Sequence, residues 1–387
     1  MAIETSRRDI LRATLAAAGL GVLGIPDWAL PALAQGETQV PFTDIPTPFN
    51  PVSSETNRFL DVRTIEGMLT PRDKFFTTQH MGHPAIDVAT FRLKVTGLVD
   101  KPKTFSIDQL KSMGPTDLMA GFECSGNSGR RLNGLVSNGR WTGVPLRKVL
   151  NEAGLKADGK EVVFLGTDHR EDEVDFRGMK YKVDQQFGRS LTREEALAPE
   201  PFLAFAMNGE PLTVHQGFPL RLLVPGWYGV SNVKWLAQIH VQEDRYLGNY
   251  EARWYRTLKG EMVDGEMKWT ETAISRMRLK SMIARVTGSG AQYKVLGFAL
   301  NDGSPIKSVE VKIDDGPWQP ATMDPANTKY SWKLFTYTWK SPAPGEHTLT
   351  SRAIDARGNI QPDAAALADK KSFLEDNAQV PRKLMIA

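Results

Sequence analysis

The order of apolar and polar positions predicts a chain that mixes short strands with short helices. Residues 91–95 alternate apolar and polar side chains, as expected for a strand with one buried face. Residues 106–111 begin with a serine cap and predict a short helix, and residues 145–153 repeat apolar positions at helical spacing. Apolar runs at 161–166 and 220–224 predict buried strands. Because strands and helices do not alternate regularly, the pattern predicts an α+β fold and not a doubly wound parallel sheet.

The last third of the chain has a different pattern, in which short strands and turns recur without a long helix. Turn sequences such as Asn-Asp-Gly and Asp-Asp-Gly separate the apolar stretches. Strands are predicted at 283–286, 293–299, 308–313, 334–339 and 348–354. Regularly spaced short strands predict a β-sandwich of the immunoglobulin type. We therefore divide the chain after its first segment into a mixed domain at 35–270 and a sandwich domain at 271–387.

The N-terminal segment has the order of features expected of an export signal. Arg7 and Arg8 precede an apolar run at 13–25, and a small-x-small cleavage site follows at 32–34. Paired arginines predict a twin-arginine signal at 1–34, which places the mature chain in the periplasm. The alternative is a basic start to a surface helix. The run is too short to span a bilayer permanently and no later stretch is long enough, so we expect no membrane anchor after cleavage.

Composition and charge exclude several partners and cofactors. A net charge of +3 gives no indication of binding to nucleic acid or to an anionic membrane. One cysteine cannot form an internal disulfide, and it excludes a Cys-x-x-Cys-His haem attachment site or a cysteine-based zinc cluster. If the protein moves electrons, it has to pass them to another protein.

That one cysteine, Cys124, lies in the glycine- and serine-rich segment 121–131, which ends in Arg130 and Arg131. Small residues allow backbone to approach a bulky ligand, and the arginines favour a thiolate and a bound anion. Cysteine is also among the residues most often buried as ordinary core, so the residue type alone leaves both interpretations open.

A second chemical feature is the block at 208–236, where strands, glycine-rich turns and the cations Arg221 and Lys234 follow closely. Backbone N–H groups of such turns, together with arginine and lysine, make a binding site for an anion such as phosphate. The alternative is two buried strands with solvated ends and a hairpin turn.

The Cys124 segment, the Arg-Trp-Thr-Gly-Val-Pro-Leu box at 140–146, the 208–236 block and the β-rich tail together resemble the sulfite oxidase family of molybdenum enzymes. The resemblance covers the chain from about residue 75 to the C-terminus. It implies a molybdenum–molybdopterin cofactor, with Cys124 as the only protein ligand of the metal. It also implies that the β-rich domain forms a homodimer.

The resemblance assigns roles to individual residues. Catalytic roles fall on Cys124, on Tyr255 beside the metal, and on Arg131. The implied cofactor-binding residues are Phe76, Thr77, Thr78, Gln79, His80, Cys124, Asp168, Gln216, Arg221, Asn232, Val233 and Lys234.

Two positions depart from the family pattern. Typical sulfite enzymes carry arginine where this chain has Thr78, and histidine where it has Gln216, and the adjacent His215 is a candidate to take over that role. Loss of an arginine from an anion pocket removes a charge-assisted hydrogen bond, typically ~1.5–3 kcal/mol. Arg130, Arg131 or His169 are candidates to compensate.

Three functions follow as hypotheses. The first is oxidation of a small sulfur oxyanion such as sulfite, with electrons passed to an external cytochrome c. The second is the same cofactor acting on a sulfane adduct of a carrier protein or on a sulfoxide. The third is a non-catalytic secreted protein whose sandwich binds a partner.

Overall fold

The computed structural model describes residues 37–45, 52–128 and 134–387. The predicted export signal at 1–34 and the predicted catalytic residue Arg131 lie outside these ranges. The described chain is rich in strands and has few helices. Its helices are α1 (Ile107–Ser112), α2 (Leu146–Ala153), α3 (Arg193–Leu197) and α4 (Asn249–Ala252).

The strands up to residue 242 include those of one mixed sheet and one antiparallel sheet. They are β1 (Thr38–Val40), β2 (Asn57–Arg58), β3 (Thr77–Thr78), β4 (Leu93–Gly97), β5 (Lys103–Phe105), β6 (Thr116–Glu123), β7 (Val136–Pro145), β8 (Glu161–Phe176), β9 (Met179–Thr192), β10 (Phe202–Met207), β11 (Glu210–Pro211), β12 (Arg221–Leu223) and β13 (Leu236–Gln242). One sheet has the order β5-β4-β13-β8-β9, and the other has β11-β10-β7-β6 with β12 paired to β10. The β4–β13 pairing is parallel, whereas the other pairings in these sheets are antiparallel.

The remaining strands form two further sheets and a hairpin. They are β14 (Arg256–Val263), β15 (Glu266–Ala273), β16 (Lys280–Ser289), β17 (Gln292–Leu300), β18 (Ile306–Ile313), β19 (Gln319–Pro320), β20 (Thr322–Met323), β21 (Lys333–Lys340), β22 (Gly345–Asp355) and β23 (Arg382–Ile386). The sheets have the orders β1-β16-β17-β21-β20 and β19-β18-β22-β23, and apolar side chains from both sheets pack together. Each of the five strands predicted for this region is confirmed.

Local sequence accounts for the two predicted helices. Ser106 caps α1 through a capping box with Gln109, since each side chain binds the other residue's backbone N–H. Helix α2 buries Leu146, Val149 and Leu150 on one face and ends at Gly154, whose φ of 70° suits glycine. Both predictions are confirmed.

The mixed region and the β-rich region share one apolar core. Phe122 and Trp141 of the first region belong to the same buried cluster as Met282, Phe298 and Trp332 of the second. The predicted boundary at residue 270 falls inside β15, and the N-terminal strand β1 pairs with β16. Within the described residues, no helix is long and apolar enough to cross a membrane.

Candidate active site

A cavity of about 660 Å³, partly continuous with solvent, opens beside the end of β6. It gathers side chains that lie more than 170 residues apart in the sequence. The predicted site residues that line it are Phe76, Thr77, Thr78, Gln79, His80, Cys124, Asp168, Arg221, Asn232, Lys234 and Tyr255.

Cys124 follows directly after β6 and is half-buried at the cavity wall. Its backbone N–H donates to the carbonyl of Leu135 at 2.9 Å, and its own carbonyl accepts from Asn127 at 2.9 Å. The next residue, Ser125, accepts from the backbone N–H of Glu375 at 2.7 Å. The thiol is therefore carried by a backbone that is fixed on both sides.

A buried ion pair connects this loop to strand β16. The carboxylate of Glu123 lies 3.1 Å from Nζ of Lys280 on β16, and each side chain is 2% exposed. Lys280 also donates to the carbonyl of Asn127 at 2.9 Å, and Asn127 donates to Glu123 at 2.9 Å. Burial raises the pKa of Glu123, whereas the charge of Lys280 acts in the opposite direction. The cysteine loop is thus bound to the β-rich region through charged groups that water does not reach.

Two buried cations line the same cavity as Cys124. Nζ of Lys234 donates to the hydroxyl of Thr77 at 3.1 Å and to Oε1 of Gln79 at 2.8 Å. The guanidinium of Arg221 donates to the carbonyls of Gln216 at 3.0 Å and Asn232 at 3.1 Å. Burial lowers the pKa of Lys234 to about 7, with the charge of Arg221 adding to the effect, and burial also lowers the pKa of Arg221. Within the described part of the chain, neither cation forms an ion pair with a buried carboxylate, an arrangement that suits the binding of an anionic ligand.

This arrangement predicts that Lys234→Met lowers the content of the pterin cofactor that the family resemblance implies. Loss of one charge-assisted hydrogen-bonding group of ~1.5–3 kcal/mol corresponds to about ten- to a hundredfold weaker binding. The fluorescence of the released, oxidised pterin per chain measures the effect. Lys312→Met is the matched control, because Lys312 lies over Trp318 and does not line the cavity, so this variant should keep the wild-type content. Equal pterin content in both variants would contradict this role of Lys234.

Asp168 adds a buried carboxyl to the same cavity. It lies within β8, close to Gly166. The absence of a side chain at Gly166 leaves room for the carboxyl, since a side-chain carbon there would lie only 2.3 Å from Oδ1 of Asp168. Burial raises the pKa of Asp168 to about 6, and the charge of Lys234 opposes that shift. A carboxyl with this pKa can accept or donate a hydrogen bond near neutral pH.

A neutral hydrogen-bonded pair lies near the cysteine. Nε2 of His80 and the hydroxyl of Tyr255 are 2.7 Å apart. Burial, reinforced by the charges of Arg170 and Lys234, lowers the pKa of His80 to about 4. Burial and the nearby Cys124 raise the pKa of Tyr255. At neutral pH the imidazole is therefore uncharged and the phenol keeps its proton.

Among the described residues, two predicted site residues do not line the cavity. Gln216 is buried in a short 3-10 helix, where its side chain binds the backbone of Thr213 and Arg72, and its carbonyl accepts from Arg221. Val233 is buried in an apolar cluster with Phe164 and Ile239. Arg131 lies outside the described residues. As cofactor contacts, Gln216 and Val233 stay predictions, and the geometry gives Gln216 a role in positioning Arg221.

Several lining residues were not predicted as site residues. His215 faces the cavity in place of Gln216, and burial lowers its pKa to about 4. The others are Phe122, Phe187, Gly229, Val230 and Trp235. Phe122 immediately precedes Glu123 and Cys124, and Trp235 follows Lys234, so proximity to a predicted residue is the signal that would have found them.

The polar atoms of the cavity fit a large polar cofactor. Gln79 Nε2, Asp168 Oδ1, His215 Nδ1 and Arg221 Nε are buried without a hydrogen-bond partner among the described residues. Buried polar atoms are normally paired, so a group of four in one cavity indicates a ligand with several donors and acceptors. The thiolate of Cys124, which lines the same cavity, would be a soft ligand of the kind that binds a heavy transition metal. These donors suit a metal held by Cys124 with an anionic organic ligand.

Comparison with known proteins agrees with this chemistry. The oxidoreductase molybdopterin-binding domain matches residues 80–250. Sulfite oxidase of Gallus gallus is 29% identical over 331 residues, covering 78% of this chain and 70% of that protein. Mitochondrial sulfite oxidase of Homo sapiens is 28% identical over 395 residues, covering 92% of this chain and 69% of that protein.

A solved structure extends the similarity to nearly the whole chain. The sulfane dehydrogenase SoxCD from Paracoccus pantotrophus superposes with a TM-score of 0.72 at 26% identity, covering 89% of this chain and 90% of that chain. The chain is thus a molybdopterin-dependent oxidoreductase whose cofactor is molybdenum–molybdopterin. It is similar in sequence to the sulfite oxidases over most of its length.

Proposed function

We propose that this enzyme oxidises a small sulfur oxyanion, sulfite to sulfate, and passes the electrons to an external cytochrome c. The observation that carries the proposal is the cavity in which Cys124 lies with two buried cations and the neutral His80–Tyr255 pair. The reaction balances as SO₃²⁻ + H₂O → SO₄²⁻ + 2 H⁺ + 2 e⁻. The relatives named sulfite oxidase support this substrate class.

The bound molybdenum–molybdopterin supplies oxygen transfer and a redox centre that accepts two electrons. Cys124 would hold the metal through its thiolate. Lys234 and Arg221 would bind the anionic part of the organic ligand, and Asp168 would accept hydrogen bonds from it. Tyr255 donates a hydrogen bond to His80 or to an oxygen of the substrate. The positive charges of Arg170 and Lys234 favour binding of an anion beside His80.

The His80–Tyr255 pair gives a prediction for mutation and pH. Tyr255→Phe should lower kcat/KM by about a hundredfold, the lower end of the range for a positioned proton-transfer group. Because the pKa of His80 is about 4, its ring is neutral above that pH and can accept a hydrogen bond from Tyr255. Protonation of the ring removes this acceptor, so activity should fall as the pH drops through about 4. Steady-state kcat/KM from pH 3 to 8 measures both effects.

The control for this prediction is Tyr293→Phe, since Tyr293 packs on Trp339 in the β-rich region. It should retain the wild-type pH profile. A Tyr255→Phe enzyme with unchanged kcat/KM would contradict the role assigned to the pair.

Steady-state oxidation of sulfite with oxidised cytochrome c tests the proposed function. The expected result is turnover by protein that contains molybdenum. Absence of turnover at millimolar sulfite, with molybdenum present, would reject sulfite as the substrate.

A second candidate substrate is a sulfane group on a carrier protein. Thr78, where typical sulfite enzymes have arginine, donates its hydroxyl hydrogen bond to Asn57 at 2.8 Å and gives the cavity no charge. The structural similarity to a sulfane dehydrogenase favours the same alternative. Turnover with a thiol-bound sulfane adduct, but not with sulfite, would establish it.

We infer that the enzyme works in the periplasm as a homodimer after twin-arginine export. The paired Arg7 and Arg8 and the cleavage site at 32–34 support export. The two packed sheets after residue 280 support an immunoglobulin-like sandwich, the domain through which the family forms dimers. Cell fractionation and sedimentation velocity of the purified chain test these two inferences.

A further inference from the structure

The outer half of the β8–β9 hairpin is a two-stranded ribbon with two unlike faces. On one face, cross-strand ion pairs join Lys180 to Glu173 at 2.7 Å and Lys182 to Glu171 at 3.0 Å. Alternation of side chains along both strands places the intervening residues on the opposite face. The lysines and glutamates of the charged face therefore pair with one another.

The opposite face of the ribbon is apolar and exposed. Val174 pairs with Tyr181, and Phe176 pairs with Met179, across the hairpin. Phe176 is 49% exposed, Met179 55% and Tyr181 46%. An isolated ribbon gains little stability from such a face, so the residues are better explained by contact with another molecule.

This face borders a groove of about 1070 Å³ that is open to solvent. The far side of the groove is formed by the segment from Tyr246 to Arg253, in which Leu247 is 70% exposed. We name this surface the ribbon groove. It presents apolar side chains from two separate parts of the chain toward the same space.

The ribbon groove ends next to the active site. Trp254 follows the groove residue Arg253 and is 58% exposed. Its ring centroid lies 5.5 Å from that of His80, whose imidazole contacts the hydroxyl of Tyr255 at 2.7 Å. Tyr255 lines the cavity together with Cys124. A series of aromatic side chains thus connects the cavity wall to the surface at one end of the groove.

We propose that the ribbon groove is the docking surface for the protein that accepts electrons from this enzyme, and that Trp254 is the point of closest approach. This inference rests on the proposed function, since that reaction releases two electrons and a cytochrome c takes one. Each docking event moves one electron from the reduced cofactor to a ferric haem, which becomes ferrous, so two carriers leave for every sulfite oxidised. The two protons pass to solvent.

The chemistry of the groove favours an electron carrier over a permanent partner. A carrier has to bind and leave quickly, and weak redox encounters use small contact areas. A few exposed apolar side chains beside a redox path meet that need. A second copy of the chain is the competing occupant.

The test uses the purified holoenzyme reduced with dithionite, so it does not depend on the sulfur substrate. Oxidised soluble cytochrome c is the probe, and stopped-flow absorbance of its haem gives the second-order rate constant. The double variant Phe176→Ser/Leu247→Ser should lower that constant, and the affinity measured by biolayer interferometry, by about tenfold or more. The matched control Met262→Ser/Trp269→Ser removes apolar groups that are 63% and 44% exposed on the β14–β15 hairpin, and should change neither.

Trp254 separates docking from electron transfer. Trp254→Ala should slow haem reduction at saturating cytochrome c, whereas Trp269→Ala should not. Equal behaviour of groove and control variants, or no binding of the probe by the wild-type enzyme, would overturn the proposal. A wild-type oligomer that becomes smaller only in the groove variants would assign the groove to a second copy of the chain. A wild-type enzyme that binds cytochrome c but does not turn over sulfite would instead count against the proposed substrate.

Discussion

We expect Cys124→Ser to lower kcat by at least about a hundredfold and to lower the molybdenum content of the purified protein. Changes to groups that merely support a metal ligand already cost about 10–100-fold, so loss of the ligand itself should cost at least as much. A serine hydroxyl is a harder donor than a thiolate and does not ionise near neutral pH. Metal analysis of the purified variant and its steady-state rate measure the two effects.

Ser125→Ala is the matched control, because Ser125 is the next residue and its buried hydroxyl has no partner among the described residues. This variant should keep its molybdenum and most of its activity. A Cys124→Ser protein with full metal content and full activity would support a binding protein in place of a molybdenum enzyme.

The second large effect is expected for Lys280→Met. The substitution removes the partner of Glu123 and leaves a carboxylate in a site that is 2% exposed, which typically costs ~3–5 kcal/mol. Since burial already raises the pKa of Glu123, the carboxyl should take up a proton in the variant. The folded state then binds more protons than the unfolded state, so the variant should lose stability as the pH rises. Denaturant unfolding at pH 5 and pH 8 measures this difference.

Two further variants make the test specific. Lys383→Met breaks an exposed pair with Glu346 and should change the unfolding free energy by ~0–1 kcal/mol. Glu123→Gln in the Lys280→Met background removes the buried charge and should restore part of the lost stability. A Lys280→Met effect no larger than that of Lys383→Met would show that the pair does not hold the cysteine loop in place.

Much of this organisation was predictable because its causes are local. The capping box of Ser106, Gly154 at the end of α2 and the turns between the late strands are determined by neighbouring residues. The run at 161–166 predicted a strand, but β8 continues to Phe176. The charged positions that obscured this extension are satisfied by ion pairs across the hairpin, which only the pairing with β9 reveals.

The site was predictable where one residue type carries the chemistry, as for Cys124 and Lys234. The site was less predictable where the direction of the backbone decides which of two adjacent residues faces the cavity. At His215 and Gln216, the 3-10 helix turns Gln216 inward to the backbone of Thr213 and Arg72, and His215 lines the cavity instead. The contacts of His80 with Trp254 and Tyr255 join residues about 175 positions apart, which no local pattern indicates.

The most direct test of the account is the molybdenum content of the purified full-length protein, measured by inductively coupled plasma mass spectrometry together with the pterin released from the same sample. The account predicts about one molybdenum atom and one pterin per chain in active protein. Active protein with far less than one molybdenum atom per chain would contradict it.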